Sequence, residues 1–213
     1  MTDRPVNLKE YKNELRRQQK AFRSSLPTGK KRTADERIAR RLFSLPQYRE
    51  AKLVLIYVST AIEVDTRKII RRALAAGKQV AVPRCVAGTR LMEFYRIGGI
   101  EELSPGAFGV LEPEPDPANK VTDFSNSICV VPALGCDLKG YRLGYGGGYY
   151  DRFLSGYGGC KALIIYKFGI LKKLWHGRYD VPVHFVITEY FTRKIPQNHP
   201  RGGTGAAQKP PDR

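Results

Sequence analysis

Residues 52–84, KLVLIYVSTAIEVDTRKIIRRALAAGKQVAVPR, constrain the fold more than any other stretch. Two short apolar runs, KLVLIYVS and QVAVP, flank a segment with helical periodicity. Asp65 or Thr66 can cap a helix over residues 66–76, and Gly77 can end it. A strand–helix–strand unit implies parallel strands. Parallel strands are buried on both faces, which is why their runs are apolar without alternation.

The rest of the chain repeats the theme. SICVVPALGCD and CKALIIYKF each contain a buried strand, HFVITE reads as the last one, and RLMEFYRI alternates as a strand does. The predicted class is α/β, a mostly parallel central sheet flanked by helices. Two basic helices lead in. The first spans residues 7–24, with Leu8, Tyr11, Leu15 and Phe22 on one face and Lys9, Lys12, Arg16, Arg17 and Lys20 on the other. Pro27 and Gly29 then break the chain. The second helix spans 32–44, with Ile38, Leu42 and Phe43 inward, and Pro46 closes it. PGAFGVLEPEPDPANK is a surface excursion. The α/β domain is expected over 1–195, and 196–213, PQNHPRGGTGAAQKPPDR, as a disordered basic tail without large apolar side chains.

Charge limits the ligands. The net charge is +17, with 37 basic and 20 acidic residues. Residues 1–50 hold a net +8 and 161–195 a net +5, whereas 51–160 hold only +2. The surplus at the two ends suits an anionic ligand or nucleic acid, and equally a solvated basic surface. No apolar run approaches the roughly 18 residues of a membrane span. The polar N-terminus lacks a signal-peptide core, so a cytoplasmic protein is expected. Cys85, Cys129, Cys136 and Cys160 form no CxxC pair and stand apart from the three histidines, which argues for reduced thiols and against a zinc site.

In open α/β sheets, ligands bind beyond the carboxyl ends of the strands. Three segments are expected to converge there: STAIEVDT, PRCVAG and ALGCDLKGYRLGYGGGYYD. The last places Gly144, Gly146, Gly147 and Gly148 within five positions. Glycines let a ligand approach the main chain, and successive N–H groups can cradle phosphate oxygens. A helix starting near Gly148 adds its own N-terminal N–H groups, and Arg142 and Arg152 can neutralise phosphate charge. The stretch is neither a GxxxxGK[ST] loop nor a dinucleotide GxGxxG. Asp151, in the first helical turn, suits Mg²⁺ beside phosphates or a helix-end carboxylate. Tyr145, Tyr149 and Tyr150 offer flat faces to a planar ring or to the core.

RLGYGGGYYDRFL, preceded by VVPALGCDLKGY, resembles the 5-formyltetrahydrofolate cyclo-ligases. KNELR is similar to that family's K-x-x-x-R signature, YVSTAIEVDT to its strand and E-V-x-T, and YDVPVHFVITE to its terminal D-x-P-V…I-T-E. The resemblance implies a three-layer sandwich of the cyclo-ligase type. It also implies ATP-dependent closure of 5-formyltetrahydrofolate to 5,10-methenyltetrahydrofolate with Mg²⁺. By the same resemblance Lys12 and Arg16 contact ATP phosphates, and Arg142, Leu143, Gly144, Tyr145, Gly146, Gly147, Gly148, Tyr149 and Tyr150 wrap the triphosphate. Tyr145 through Tyr149 also face the folate, with Glu63 and Val58. Asp151 and Asp180 hold Mg²⁺. Glu63 also reads simply as an acidic residue in a loop before a helix. No protein nucleophile is expected: positioning and charge neutralisation carry the reaction. Residues 166–178 depart from the family, with Lys167, Phe168, Lys172 and Lys173 where a polar stretch is usual.

The expected partners are therefore ATP and the folate, with no membrane, no specific nucleic acid, and a monomeric state. A rival reading is a basic nucleic-acid-binding protein on an inactive cyclo-ligase scaffold. The basic helices favour it. The nearly balanced central region and the lack of a recognised nucleic-acid motif oppose it.

Overall fold

A computed structural model describes residue 5 and residues 7–197. In chain order the elements are α1 (Leu8–Ser24), α2 (Thr28–Ser44), α3 (Pro46–Glu50), β1 (Leu53–Ile56), α4 (Arg67–Ala75), β2 (Gln79–Cys85), β3 (Met92–Ile97), β4 (Ser104–Pro105), β5 (Leu111–Glu112), β6 (Ser127–Val131), β7 (Gly135–Asp137), β8 (Arg142–Leu143), α5 (Tyr149–Gly156), β9 (Cys160–Ile164), β10 (Ile170–Leu171), β11 (Phe185–Ile187) and β12 (Thr192–Lys194).

The strand–helix–strand segment forms as its pattern predicts. β1 and β2 pair in parallel, Leu53 opposite Gln79, with α4 between them. Asp65 accepts the Arg67 N–H at 3.0 Å at the helix start, and Gly77, at φ +73°, ends it. The central sheet has seven strands in the order β12-β11-β9-β6-β1-β2-β3. The inner pairs are all parallel, and only the edge strands β3 and β12 run antiparallel.

Successive residues of β1 serve opposite faces. Val54 and Ile56 join a core with Ile38 and Leu42 of α2 and Ile69, Ile70 and Ala73 of α4. Leu53 and Leu55 join the opposite core with Leu154 of α5. Val54, Leu55 and Ile56 are each 0% exposed, and each contributes roughly 1.5–3 kcal/mol by burial. The result is three layers: α2–α4, the sheet, then α5 with a three-stranded sheet, β10-β7-β8.

The edges are protected. Beside β3, Lys120 bridges to Tyr95 and pairs with Glu93 at 2.6 Å. At the other edge β12 is three exposed residues, two of them cationic, too short and charged to recruit another strand.

Several boundaries differ from the sequence expectation. α2 starts at Thr28, so Gly29 lies in its first turn; Pro27 precedes the helix as its N-cap rather than breaking a loop. Pro46 opens α3 at its first turn, where a missing N–H costs nothing. HFVITE is not the last strand, because β12 follows; its exposed TRK carries no apolar alternation to announce it. The 105–120 excursion is more than surface: Glu112 is buried and accepts the Cys85 N–H at 3.2 Å. The expected tail lies outside the described residues except Pro196 and Gln197, and Gln197 donates from Nε2 to the carbonyls of Val183 and Ile195.

His184 ties β9 to the start of β11. Its Nδ1 accepts the Lys161 N–H at 3.1 Å, so the ring is neutral there. Burial, then the Lys161 ammonium, lowers its pKa. The unfolded chain therefore takes up a proton near pH 6.5 that the folded chain resists, and stability falls as pH drops through about 6.5. Thermal melts should show wild type losing Tm between neutral pH and about pH 5, with His184→Gln losing less.

Candidate functional site

The parallel strands point their carboxyl ends to one edge, and the three expected segments meet there. The glycine loop leaves β8 at Leu143 and enters α5 at Tyr149. Gly146 and Gly148 hold φ of +110° and +74°, a region that L side chains avoid. Gly147 is not in that region, so its constraint is one of space: a Cβ there would stand 2.7 Å from the Tyr149 ring. Gly148 caps α5 in a left-handed conformation, and no side chain caps the helix. The first-turn N–H groups and the positive end of the helix dipole therefore face the loop.

The first helix leans over this loop. Arg16 donates from Nε to the Gly144 carbonyl at 2.8 Å, and a Cβ on Gly146 would stand 3.4 Å from the guanidinium carbon. Lys12 pairs with Asp180 at 2.5 Å, one turn nearer the N-terminus. Asp180 also accepts the Gly177 N–H at 3.0 Å. Lys20 sits 5.3 Å above the Tyr145 ring. The cations of α1 thus divide: Lys12, Arg16 and Lys20 face the loop, whereas Arg17 pairs with Glu14 in solvent.

Beneath the loop, Arg142 is almost wholly buried. Its Nη2 binds Asp151 Oδ1 at 2.7 Å and its Nη1 the Val181 carbonyl at 2.9 Å. Its guanidinium is thus engaged by a carboxylate and a carbonyl of the protein itself. The Leu143 and Val58 side chains lie in the core, so only their main chains are available to a ligand. By contrast, Gly144 is partly exposed and Tyr145, Gly146 and Gly147 are exposed.

The third wall is the β1–α4 segment. Glu63 is buried, and its Oε2 accepts both the N–H and the hydroxyl of Thr60 at 2.9 Å. Tyr145 faces it: burial, then the Glu63 charge, pushes the phenol's pKa up, so Tyr145 stays a neutral donor. Tyr150 has a buried hydroxyl with no hydrogen-bond partner among the described residues. Burial holds its pKa well above the ordinary value. Such an orphan costs roughly 1–3 kcal/mol, and it lies at the root of the loop. Tyr149 reaches the segment after β2, donating to the Thr89 carbonyl at 3.3 Å.

Several residues that organise the site were not singled out in the sequence. Tyr166 donates to Asp35 Oδ1 at 2.6 Å and lies 3.0 Å from the Glu63 carbonyl. Asp35 also accepts from Lys31 at 2.9 Å and from the Asp65 N–H at 3.2 Å. This network joins α2, β9 and the Glu63 segment. Arg23, the one buried residue of α1, donates to the carbonyls of Ala133 and Leu134 and lies 5.7 Å from the Tyr166 ring. Asp35 falls on a helix with apolar periodicity and Tyr166 in an apolar run, so neither announces a polar role.

The chain belongs to the 5-formyltetrahydrofolate cyclo-ligase family, whose model matches residues 8–189. A probable 5-formyltetrahydrofolate cyclo-ligase of Caenorhabditis elegans is 29% identical over 155 residues, covering 70% of this chain and 74% of that protein. The 5-formyltetrahydrofolate cyclo-ligase of Escherichia coli K12 is 27% identical over 172 residues, covering 78% and 93%. Among solved structures, Aquifex aeolicus 5,10-methenyltetrahydrofolate synthetase superposes with a TM-score of 0.75 at 30% identity, covering 92% of this chain and 96% of that one. A Mycoplasma pneumoniae 5,10-methenyltetrahydrofolate synthetase, at 22% identity and a TM-score of 0.64, shares the fold.

Tyr166→Phe removes the donor that Asp35 and the Glu63 carbonyl share. Urea unfolding should show a loss of about 1–3 kcal/mol, because the Glu63 carbonyl loses its partner while Asp35 keeps Lys31 and the Asp65 N–H, with an unchanged m-value.

Proposed function

We propose that this chain catalyses the ATP-dependent closure of 5-formyltetrahydrofolate to 5,10-methenyltetrahydrofolate, with release of ADP and phosphate. The observation that carries the reading is the glycine loop: two residues at positive φ open an uncapped helix, beneath cations of α1 and beside two carboxylates. That arrangement suits a triphosphate.

The chemistry asks for positioning and charge neutralisation. Transfer of the γ-phosphoryl to the formyl oxygen breaks the β–γ P–O bond and frees ADP. N10 of the folate then attacks the formyl carbon, the new C–N bond closes the ring, the N10 proton is lost, and the C–O bond to phosphate breaks. In this reading Lys12 and Arg16 neutralise the transferring phosphoryl, and the N–H groups of residues 144–150 wrap the phosphates. Glu63 accepts from the pterin ring, Tyr145 and Tyr149 face it, and Tyr150, whose hydroxyl has no partner among the described residues, serves the ATP side of the loop. Arg142 serves by holding Asp151 in place.

The donor set suits Mg²⁺. Asp151 and Asp180 each engage a cation through one oxygen, while Oδ2 of Asp151 and Oδ1 of Asp180 take no hydrogen bond from a described residue. Among the described residues no group of three or more potential metal ligands exists, and Mg²⁺ typically binds one or two carboxylates plus substrate phosphates. Asp151 and Asp180 would hold it, and it would supply charge neutralisation on the β- and γ-phosphates. The proposed enzyme is a cytoplasmic monomer. No helix among the described residues is long and apolar enough to cross a membrane, and all four cysteines are free thiols.

The direct test is an absorbance assay for the methenyl product with 5-formyltetrahydrofolate, Mg²⁺ and ATP; no product in the complete mixture rejects the reading. Lys12→Ala and Arg16→Ala should each raise KM for ATP about tenfold, the worth of one charge-assisted hydrogen bond, with a smaller change for the folate. Wild-type KM values would return both residues to the solvated face.

Asp151→Asn tests metal binding against helix support. Turnover should fall about 100-fold or more and recover in part at high Mg²⁺. Tm should also fall, because Arg142 loses its buried partner. Adding Arg142→Met should restore Tm without restoring turnover; recovery of both would assign Asp151 to the fold alone.

A further inference from the structure

A second concave region lies away from the glycine loop, on the outer side of α2. Two hollows of about 370 and 440 Å³ share Arg37, Glu189 and Tyr190 in their walls, and neither includes a residue of the loop. Lys30 lines one, Arg40 and Arg41 the other. Lys30, Arg37 and Arg40, at i, i+7 and i+10, follow one face of α2, with axial offsets of about 10 and 15 Å from the first.

The charges here are not balanced by the protein. Arg37 and Arg40 are exposed and have no ion pair or hydrogen bond through their side chains among the described residues. α2 carries six cations against Asp35 and Glu36; Asp35 is taken by Lys31 and Glu36 by Lys68 of α4. α4, on the same side of the sheet, adds four cations and no acid. The one carboxylate in the groove, Glu189, accepts the Lys167 N–H at 2.8 Å, and its carbonyl accepts from Arg41.

The same hollows are lined by an aromatic ring that stacks on no other ring among the described residues. Tyr190 is 61% exposed. Its turn is fixed: Thr188 Oγ1 accepts the N–H groups of Tyr190 and Phe191 at 3.2 and 3.0 Å, and the Thr188 N–H donates to the Phe191 carbonyl at 2.8 Å. The ring is therefore presented to solvent from a held backbone, in hollows it shares with the unpaired guanidinium groups of Arg37 and Arg40.

We propose that this groove binds single-stranded nucleic acid without sequence preference, its phosphates along Lys30, Arg37 and Arg40 and a base on Tyr190. A cationic track with an exposed aromatic platform is the arrangement such strands require. A duplex keeps its base faces stacked and has none to offer Tyr190. Residues 196–213 of the chain carry a net +2, a charge that does not complement these cations. The inference is independent of the cyclo-ligase reading, because Lys30, Arg37, Arg40 and Tyr190 have no role in it; Lys31 and Tyr166 of the Asp35 network line one hollow and are left unchanged in the test.

The test uses the full chain and a fluorescein-labelled oligouridylate, read by anisotropy across a salt series. Log Kd should rise linearly with log salt, and Arg37→Glu with Arg40→Glu should weaken binding and reduce the slope by about 1.4, for two lost phosphate contacts. Arg37→Gln with Arg40→Gln is the second pair, should the charge reversal disturb folding. Tyr190→Ala should weaken the oligouridylate about fivefold or more and leave the affinity for heparin, a polyanion without bases, unchanged. Unaltered oligouridylate binding in the variants overturns the proposal. So does equal weakening of heparin by Tyr190→Ala, or duplex RNA bound as tightly as the single strand. Wild-type Tm and methenyl formation in each variant confirm that only the groove was changed.

Discussion

Five parallel strands, β2, β1, β6, β9 and β11, send their carboxyl ends to one edge, and the rest of the molecule depends on that constraint. Parallel pairing forces each connection to cross back over a face of the sheet. Both faces are thereby covered, and the polar ends of the connections collect at one rim. Glu63 arrives there after β1, Thr89 after β2, the glycine loop after β6, and Tyr166 after β9. Residues far apart in sequence become neighbours because the strands share a direction.

At that rim the protein sets opposite charges in pairs. Arg142 with Asp151 is the buried member, fixing α5 against the segment before β11. Lys12 with Asp180 is partly exposed and joins α1 to the same segment. A buried guanidinium is stable only with full hydrogen bonding, and Arg142 has the Asp151 carboxylate and the Val181 carbonyl. Arg142 and Asp151 flank the glycine loop, so their pairing ties its two ends together, and Arg16 holds it at the Gly144 carbonyl. Glycine at 146 and 148 follows from geometry: a side chain at either position would strain a backbone at positive φ, and at 148 a Cβ would stand 2.7 Å from Arg152 Nη1.

Much of this was legible in the chain. Continuous apolar runs announce buried strands because burial on both faces removes the polar alternation, and KLVLIYVS and SICVVPALGCD show it. The cap at Asp65 and the stop at Gly77 are local chemistry, readable without the fold. The glycine loop and α5 were legible for the same reason. The Asp35–Tyr166 contact was not: it spans 131 positions, and only tertiary packing brings the two together. Arg142 reads as a free cation until Asp151 is seen beside it. Val58 and Leu143 read as site residues through their neighbours, yet their side chains point to the core. β12 went unread because three exposed residues pair by main chain alone.

The first helix has one deeply buried side chain, Arg23, in its last turn, and reaches the rim through polar contacts at Lys12 and Arg16. An element held by apolar burial leaves only when water floods its contact, at a cost set by area. An element held by ions can exchange one set of partners for another of equal charge while its apolar surface stays as it was. α1 combines both: Tyr11 and Leu15 pack on Leu134, Leu143 and Leu174, and Phe22 meets Phe168, while Lys12 and Arg16 reach the rim through ions. Added salt weakens the exposed ionic contacts and leaves that apolar seat in place.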